Sequence, residues 1–211
     1  IKDENTFSHL IIRRQGQETR IVGSDGFIRH DGLPIGAEAG QALAEALQRE
    51  AAAKRLADMD NPGQRFGVDL EISGGMTDLG LGETLTFTVR SERAGYVTLV
   101  DLGTDGTVAM LIPNGDQPSL RIEAGRSLTY PSSDSGVELM ALEPAGRGMV
   151  RVFVTAEPLG IRIGDGETYA YGGAEFAQVV TEAVKQVVGS QDGAVRIDSW
   201  ATASIVYDIH N

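Results

Sequence analysis

The central part of the chain alternates apolar and polar residues in short segments. Val68, Leu70 and Ile72 are separated by two acidic residues, and similar alternation recurs through residues 66–158. A period of two places the apolar residues on one face of a β-strand. About eight such strands follow one another, at the spacing typical of a β-sandwich. We therefore predict a sandwich domain over residues 66–160.

The N-terminal part predicts a β-hairpin followed by a helix. Residues 6–29 hold two apolar segments, and the turn residues Ser24-Asp25-Gly26 follow the second of them. Residues 37–58 are rich in Ala, Leu, Glu, Gln, Lys and Arg, all of which favour helices. Asn61-Pro62-Gly63 ends this helix, because proline disfavours the α conformation in the residue before it. We place a domain boundary at residues 59–65.

The C-terminal part predicts one more helix and one more strand. Residues 174–188 repeat apolar residues at helical spacing, and Gly189 follows as a natural C-cap. A last strand over residues 195–209 contains Trp200. The predicted fold class is mainly β (α+β overall). An antiparallel sandwich is flanked by the hairpin and helix of residues 1–62 and by the helix and strand of residues 161–211. We expect the two flanks to pair with each other.

Three turn signals separate the predicted strands. Asp105-Gly106 is the strongest, because a two-residue type I′ hairpin needs residues that accept a positive φ at both central positions. Asn114-Gly115 follows Pro113 and is predicted to close the next strand. Residues 143–146 have proline second and glycine fourth, which fits a type I turn.

Composition and charge exclude several function classes. The chain has 211 residues, with 18 Lys and Arg against 30 Asp and Glu, so its formal charge is −12. Nucleic-acid binding is not expected, because phosphate contacts need clustered basic residues. No apolar stretch is long enough for a transmembrane helix. The acidity indicates a soluble domain, or alternatively a field that attracts a basic partner.

The sequence contains no recognisable catalytic or cofactor-binding set. It has no cysteine, which excludes thiol catalysis and cysteine-ligated metal within this chain. A nucleophile elbow is absent. Gly80-Leu81-Gly82 is followed by a predicted strand rather than by the helix that a phosphate-binding loop needs. We therefore predict no catalytic residues and no cofactor.

Two metal sites are alternatives to the prediction that the chain binds no metal. His9 and His30 lie on neighbouring predicted strands, but a zinc site would need a third nitrogen or oxygen ligand. The acidity suggests calcium as an alternative ligand, but the spacing of an EF-hand is absent. The carboxylates considered for calcium lie near strand ends or in loops: Asp101, Asp105, Asp116, Asp165 and Glu167. We expect these histidines and carboxylates to be ordinary surface and turn residues.

The stretch from Leu81 to Leu159 resembles a bacterial family of domains of unknown function. The segments that carry the resemblance are Gly82-Glu83, Leu85-Thr86-Phe87, Gly95-Tyr96-Val97, Asp105-Gly106-Thr107-Val108, Leu111-Ile112-Pro113-Asn114, Ala124-Gly125, Tyr130-Pro131, Glu143-Pro144-Ala145-Gly146 and Val154-Thr155-Ala156-Glu157-Pro158-Leu159. Members of this family often follow a caspase-like (metacaspase-type) peptidase domain. Others occur in envelope or secreted proteins.

The resemblance implies an immunoglobulin-like β-sandwich with an accessory, non-catalytic role. It carries over no active-site residue, and the His/Cys dyad of a caspase-like peptidase would have to lie outside this cysteine-free chain. The matched positions are expected to have structural roles in strand entry and in turns. They are Gly95, Tyr96, Asp105, Gly106, Pro113, Asn114, Gly125, Pro131, Pro144 and Gly146.

These observations favour a non-catalytic accessory or binding module with a protein partner. The resemblance places it in a bacterial exported or envelope-associated protein, such as the C-terminal part of a caspase-like peptidase. One alternative is a structural subunit of a cell-surface or secreted assembly, since strand edges can pair with another chain. Another is a fragment of an enzyme whose catalytic residues lie outside this chain.

Overall fold

The computed structural model describes residues 11–15, 18–22, 28–33, 39–115, 117, 119–161, 170–189 and 199–210. These ranges contain two α-helices, a short 3-10 turn at Ser73–Gly75 and a series of strands. In chain order the helices and strands are β1 (Ile11–Gln15), β2 (Glu18–Val22), β3 (Ile28–Leu33), α1 (Ala39–Ala57), β4 (Val68–Ile72), β5 (Asp78–Gly80), β6 (Thr84–Leu85), β7 (Phe87–Ser91), β8 (Gly95–Leu102), β9 (Val108–Ile112), β10 (Leu120–Ile122), β11 (Ser127–Tyr130), β12 (Leu139–Met140), β13 (Gly146–Thr155), β14 (Ala170–Gly172), α2 (Ala174–Val188) and β15 (Trp200–His210).

A large sheet organises the structure. Its strand order is β14-β9-β8-β13-β15-β5, and β10 also pairs with β8. The pairs are antiparallel except for β15 with β5, which is parallel. The sheet β11-β7-β4 and the short pair β12-β6 make up further layers of the sandwich. The predicted fold class is confirmed: the described residues are mainly β, with sheets in a sandwich-like arrangement and two helices.

The first hydrophobic core lies between the large sheet and the β11-β7-β4 sheet. Strand β4 alternates buried and exposed residues along its length, as its sequence pattern predicted. Phe87 and Val89 of β7 contribute to this core, and so do Val150 and Val152 of β13. Burying aliphatic and aromatic side chains at about 25 cal/mol per Å² is the main favourable contribution to such a core.

The second core lies on the opposite face of the large sheet, beneath the two helices. Phe153 of β13 and Val100 of β8 pack here against Leu56 of α1 and Val184 of α2. Trp200 lies in the same core, with its ring centroid 6.3 Å from that of Phe153. Strand β13 is therefore buried on both faces over most of its ten residues.

The helices and the hairpin lie close to the residues at which they were predicted. Helix α2 spans the predicted residues 174–188, and α1 lies within the predicted 37–58. Gly189 follows α2, but its backbone is extended (φ −78°, ψ 152°) rather than left-handed. Strands β1 and β2 form the expected hairpin, and β3 adds a third antiparallel strand to it. The part of the predicted hairpin before residue 11 lies outside the described residues.

The C-terminal strand lies inside the large sheet. Strand β15 pairs with β13 along its whole length, from Gly146↔Ile209 to Thr155↔Trp200. The predicted domain boundary at residue 160 therefore lies between β13 and β15, which are hydrogen-bonded neighbours in this sheet. The two flanks of the sandwich meet through their helices: α1 of the N-terminal flank contacts α2 of the C-terminal flank. The predicted boundary segment 59–65 is also held to β15, because the Asn61 side chain donates a hydrogen bond of 2.7 Å to the Trp200 carbonyl.

The turn type predicted at Asp105-Gly106 was wrong. Only Gly106 of the pair Asp105-Gly106 has a positive φ (76°), so the turn is not type I′. Instead, Gly106 N–H bonds the Gly103 carbonyl, and the Asp105 side chain accepts a bond from Thr107 N–H, which gives a longer loop. At residues 143–146, where a type I turn was predicted, the Glu143–Pro144 peptide bond is cis.

A buried arginine ties the end of α1 to the large sheet. The Arg151 guanidinium of β13 donates hydrogen bonds to the carbonyls of Ala57 and Met59, and one of 3.1 Å to the Thr202 hydroxyl. Arg151 is only 6% exposed. Burial lowers the pKa of this guanidinium, while Asp60 and Asp58 act in the opposite direction. Its donors compensate carbonyls that a helix C-terminus leaves without internal partners.

We expect Arg151→Met to lower the free energy of unfolding by about 2–4 kcal/mol, because buried carbonyls lose their charged donor. Urea denaturation followed by circular dichroism measures this. Arg90→Met, at an exposed position on β7, is the control and should change stability by less than about 0.5 kcal/mol. Equal losses for the two variants would contradict a special role for Arg151.

Candidate functional site

A pocket of about 580 Å³ opens at one end of the sandwich interior. Six of its lining residues also belong to the first core: Leu79, Phe87, Leu111, Ala141, Tyr207 and Ile209. The loop 103–107 and the segment 138–144 form its rims. The Thr104 hydroxyl joins the two rims through a hydrogen bond of 2.7 Å to the Pro144 carbonyl. The pocket is thus a continuation of the apolar core that one end of the sandwich leaves open.

The mouth of the pocket carries exposed apolar side chains. Met140 is 47% exposed and Leu142 is 64% exposed, and both line the pocket. Leu81 (37% exposed) lies close by, since the neighbouring Gly82 N–H bonds the Ala141 carbonyl. Single exposed apolar residues are common on proteins, but a group of them at an apolar pocket is typical of binding sites.

The most unusual pair in the pocket is Asp101 and Tyr207. The Asp101 side chain lies on the same face of β8 as Leu99, which is the face toward the sandwich interior. Its carboxylate is half-buried there. Tyr207 projects from β15, with β13 between the two strands. Its hydroxyl donates a hydrogen bond of 2.8 Å to Asp101 Oδ1. The tyrosine side chain therefore crosses the middle strand.

A glycine of β13 makes this crossing possible. Gly148 is the register partner of Tyr207, and it lies directly beneath the tyrosine side chain. A Cβ atom on Gly148 would come within 2.3 Å of Tyr207 Cζ and 2.4 Å of its hydroxyl oxygen. Glycine inside a strand often marks such a close approach. The Asp101–Tyr207 contact depends on this missing side chain.

Burial shifts the pKa of both partners upward. The pKa of Asp101 rises from 3.8 to about 6, mainly because burial disfavours its charged form. The Tyr207 hydrogen bond opposes this rise, and the negative charge of Asp105 adds to it. The pKa of Tyr207 lies well above its ordinary value because of burial and the adjacent carboxylate, so the hydroxyl stays a donor. Strongly perturbed carboxylates in clefts are frequent at functional sites.

The charged groups that line the pocket are all acidic. Asp101 and Asp105 lie on the strand end and loop, and Glu138 and Glu143 lie on the opposite rim. Among the described residues that line it, none is Lys, Arg or His. The pocket thus combines aliphatic walls with a negative potential.

The family comparison concerns most of this site. Residues 78–158 match a family described as a domain of unknown function (DUF4384). The match agrees with the resemblance found over residues 81–159. Comparisons with curated proteins and with solved structures gave no match. The DUF4384 segment supplies the pocket lining apart from Tyr207 and Ile209, which come from β15.

The structure places the ten matched positions of the DUF4384 segment mainly in loops and at strand ends. They do not converge on one site. Gly95 begins β8, where a Cβ would approach the Thr155 carbonyl to 2.8 Å. Tyr96 follows it, half-buried and in register with Thr155. Gly125 has a φ of 72° in the turn before β11, and its N–H bonds the Ser91 carbonyl.

Some of the remaining matched positions hold the loops around β9 and β11. The buried Asn114 side chain donates to the Tyr130 hydroxyl (2.9 Å) and to the Leu111 carbonyl (3.0 Å). Pro113 and Pro131 are buried and follow cis peptide bonds. Asp105 and Pro144 line the pocket itself, and Gly146 begins β13.

The metal-site alternatives find no support in the described residues. There, no three His, Asp or Glu side chains are arranged to hold a metal ion. His9, Asp116, Asp165 and Glu167 lie outside the described residues. His30 lies on β3 in register with Ile21. In the described helices, no segment is long and apolar enough to cross a membrane.

Sequence reasoning missed the residues that define the pocket. Tyr207, Gly148, Met140 and Leu142 were not singled out, and Asp101 was considered only as a calcium ligand or as an ordinary turn residue. A signal was present at Asp101, because it is the single charged residue in the largely apolar run of residues 96–102.

Gly148→Ala should displace Tyr207 and break its hydrogen bond to Asp101. Because the added methyl group overlaps the tyrosine ring, we expect a loss of about 1–3 kcal/mol in the free energy of unfolding. Gly160→Ala is the matched control, since a Cβ there meets nothing within 4 Å. Urea denaturation compares the two variants. A Gly148→Ala protein as stable as the control would contradict the close approach.

Asp101→Asn should stabilise the protein at neutral pH and not at acidic pH. The folded protein holds the Asp101 proton up to about pH 6, whereas the unfolded chain releases it near pH 3.8. Stability contributed by this group is therefore lost as the pH rises from about 4 to 6. We expect the advantage of the asparagine variant to grow over this window to at most about 3 kcal/mol.

Denaturation of both proteins between pH 4 and pH 7 measures this difference. Asp69→Asn removes the same charge from an exposed position on β4. An identical trend for both substitutions would assign the effect to net charge and contradict a specific role of the pocket.

Proposed function

We propose that the chain is a non-catalytic binding module that docks a segment of a partner protein in the pocket beside Asp101 and Tyr207. The observation that carries this proposal is the exposure of Met140 and Leu142 at the mouth of an apolar pocket. Covering these side chains would remove apolar area from water, which is the main driving force of association.

The size and chemistry of the pocket support a polypeptide segment as the occupant. Its walls are mainly aliphatic, and the segment 138–144 on its rim includes the exposed side chains of Met140 and Leu142. The acidic lining favours a partner segment that is not itself acidic.

The resemblance supports a wider setting for this module. We propose that it belongs to a bacterial exported or envelope-associated protein and serves as the C-terminal accessory part of a caspase-like peptidase. The module would then position a partner or substrate for a catalytic domain elsewhere in the same polypeptide. In this role the chain needs no nucleophile, which agrees with its lack of cysteine.

Site-specific photo-crosslinking in native host cells tests the docking site. A photo-reactive amino acid at position 142 should form an adduct with one defined partner segment, which mass spectrometry of the digested adduct identifies. The control position is 179 on α2, where Val179 is similarly exposed (53%) but does not line the pocket. Position 179 should give no such adduct.

Equal crosslinking from both positions, or none from position 142, would contradict docking in the pocket. The same preparation gives the intact mass of the native protein. A mass with no room for a peptidase domain would contradict the proposed link to caspase-like peptidases while leaving the docking site standing.

A further inference from the structure

We propose that the pocket selects a lysine side chain, which an extended apolar segment of the partner inserts so that its ammonium group meets the Asp101 carboxylate. This inference rests on the proposed function and deepens it by naming the chemistry that the pocket recognises.

The walls suit the aliphatic stem of such a side chain. Lysine buries its methylene groups against apolar surface while it keeps its charge at a polar group. Leu79, Leu111 and Ile209 provide apolar surface along the pocket, and Met140 and Leu142 cover its mouth. Apolar neighbours of the lysine in the partner segment would contact these last two residues.

The charges of the pocket favour a cation beside Asp101. All four charged residues that line it are carboxylates, and none of the described lining residues is basic. An ammonium group close to a carboxylate gains more Coulomb energy in partly buried surroundings than in bulk water. No internal cation from the described lining competes for this position.

The geometry at Asp101 favours an ammonium group over a guanidinium. Oδ1 already accepts the Tyr207 hydroxyl hydrogen bond, and within the described chain no hydrogen bond reaches Oδ2. A guanidinium binds a carboxylate best through both oxygens at once. An ammonium is a compact point charge that one free oxygen can accept. Gly148 sustains this arrangement, since it lets Tyr207 hold Oδ1.

Binding of a cation should be linked to the ionisation of Asp101. The groups that face this carboxyl are Tyr207 from β15, Asp105 from the adjoining loop, and Glu138 and Glu143 across the pocket. Because the pKa of Asp101 is raised to about 6, part of the population is protonated and neutral in mildly acidic solution. A lysine ligand would bind the ionised form, so its affinity should fall as the pH falls below about 6.

Fluorescence anisotropy of the whole chain with defined peptides tests the proposal. The probe is a fluorescein-labelled heptapeptide, capped at its C-terminus, with a central lysine flanked by valine and leucine. Three matched peptides carry acetyl-lysine, arginine or glutamate at the centre. We expect the lysine peptide to bind about tenfold or more tightly than the acetyl-lysine and glutamate peptides, and more tightly than the arginine peptide.

Two matched variants and a pH series assign the effect to Asp101. Asp101→Asn should weaken binding of the lysine peptide about tenfold or more and leave the acetyl-lysine peptide unaffected. Asp69→Asn removes the same charge from β4 and should leave both affinities within about twofold of the unmodified protein. The affinity for the lysine peptide should fall roughly tenfold from pH 7 to pH 5 in the unmodified protein and stay constant in Asp101→Asn.

The outcomes separate this inference from the proposed function. Equal binding of the lysine and acetyl-lysine peptides would overturn the lysine site, and so would equal effects of Asp101→Asn and Asp69→Asn. So would tighter binding of the arginine peptide, or no binding of any peptide. In each case an adduct from position 142 would still support docking of a partner segment in the pocket. Loss of that adduct would overturn the proposed function as well.

Discussion

The large sheet must be covered on both faces, and the rest of the structure depends on this constraint. Strand β13 directs Val150 and Val152 into one core and Phe153 into the other. A single covering layer would leave one of these faces in water. The β11-β7-β4 sheet covers one side, and α1 and α2 cover the other. The flanking helices thus bury one face of the large sheet, as the β11-β7-β4 sheet buries the other. Arg151 fixes the end of α1 to the large sheet.

The pocket exists because the interior face of the large sheet is not completely covered at one end. Asp101, Tyr207 and Ile209 lie on the interior face, where the opposing layer ends at the segment 138–144. The Asp101 carboxylate there is partly removed from water, and the described lining supplies no cation to it. The fold tolerates this because the Tyr207 hydroxyl solvates one oxygen, and Gly148 gives that side chain its path.

Local elements were predictable from the sequence, whereas their partners were not. Helix α2 was found at its predicted residues, since its apolar spacing is a local property. The turn at Asp105-Gly106 deviated because the Asp105 side chain bonds Thr107 N–H and the loop closes over more residues. Asp101 and Tyr207 are 106 positions apart and meet only through the register of β13 with both neighbours. Sequence periodicity carries no information on that register.

The position of β15 between two other strands of the large sheet has a consequence for how the chain folds. Strand β15 lies between β13 and β5, and its pairing with β5 joins Asp78 to Asp208. During synthesis this edge of β13 therefore stays unpaired until the residues of β15 leave the ribosome. Contacts so distant in sequence slow folding, and unpaired edges favour association with other chains. Nascent chains that end before β15 would expose a long apolar edge, a state in which binding by a chaperone protects against aggregation.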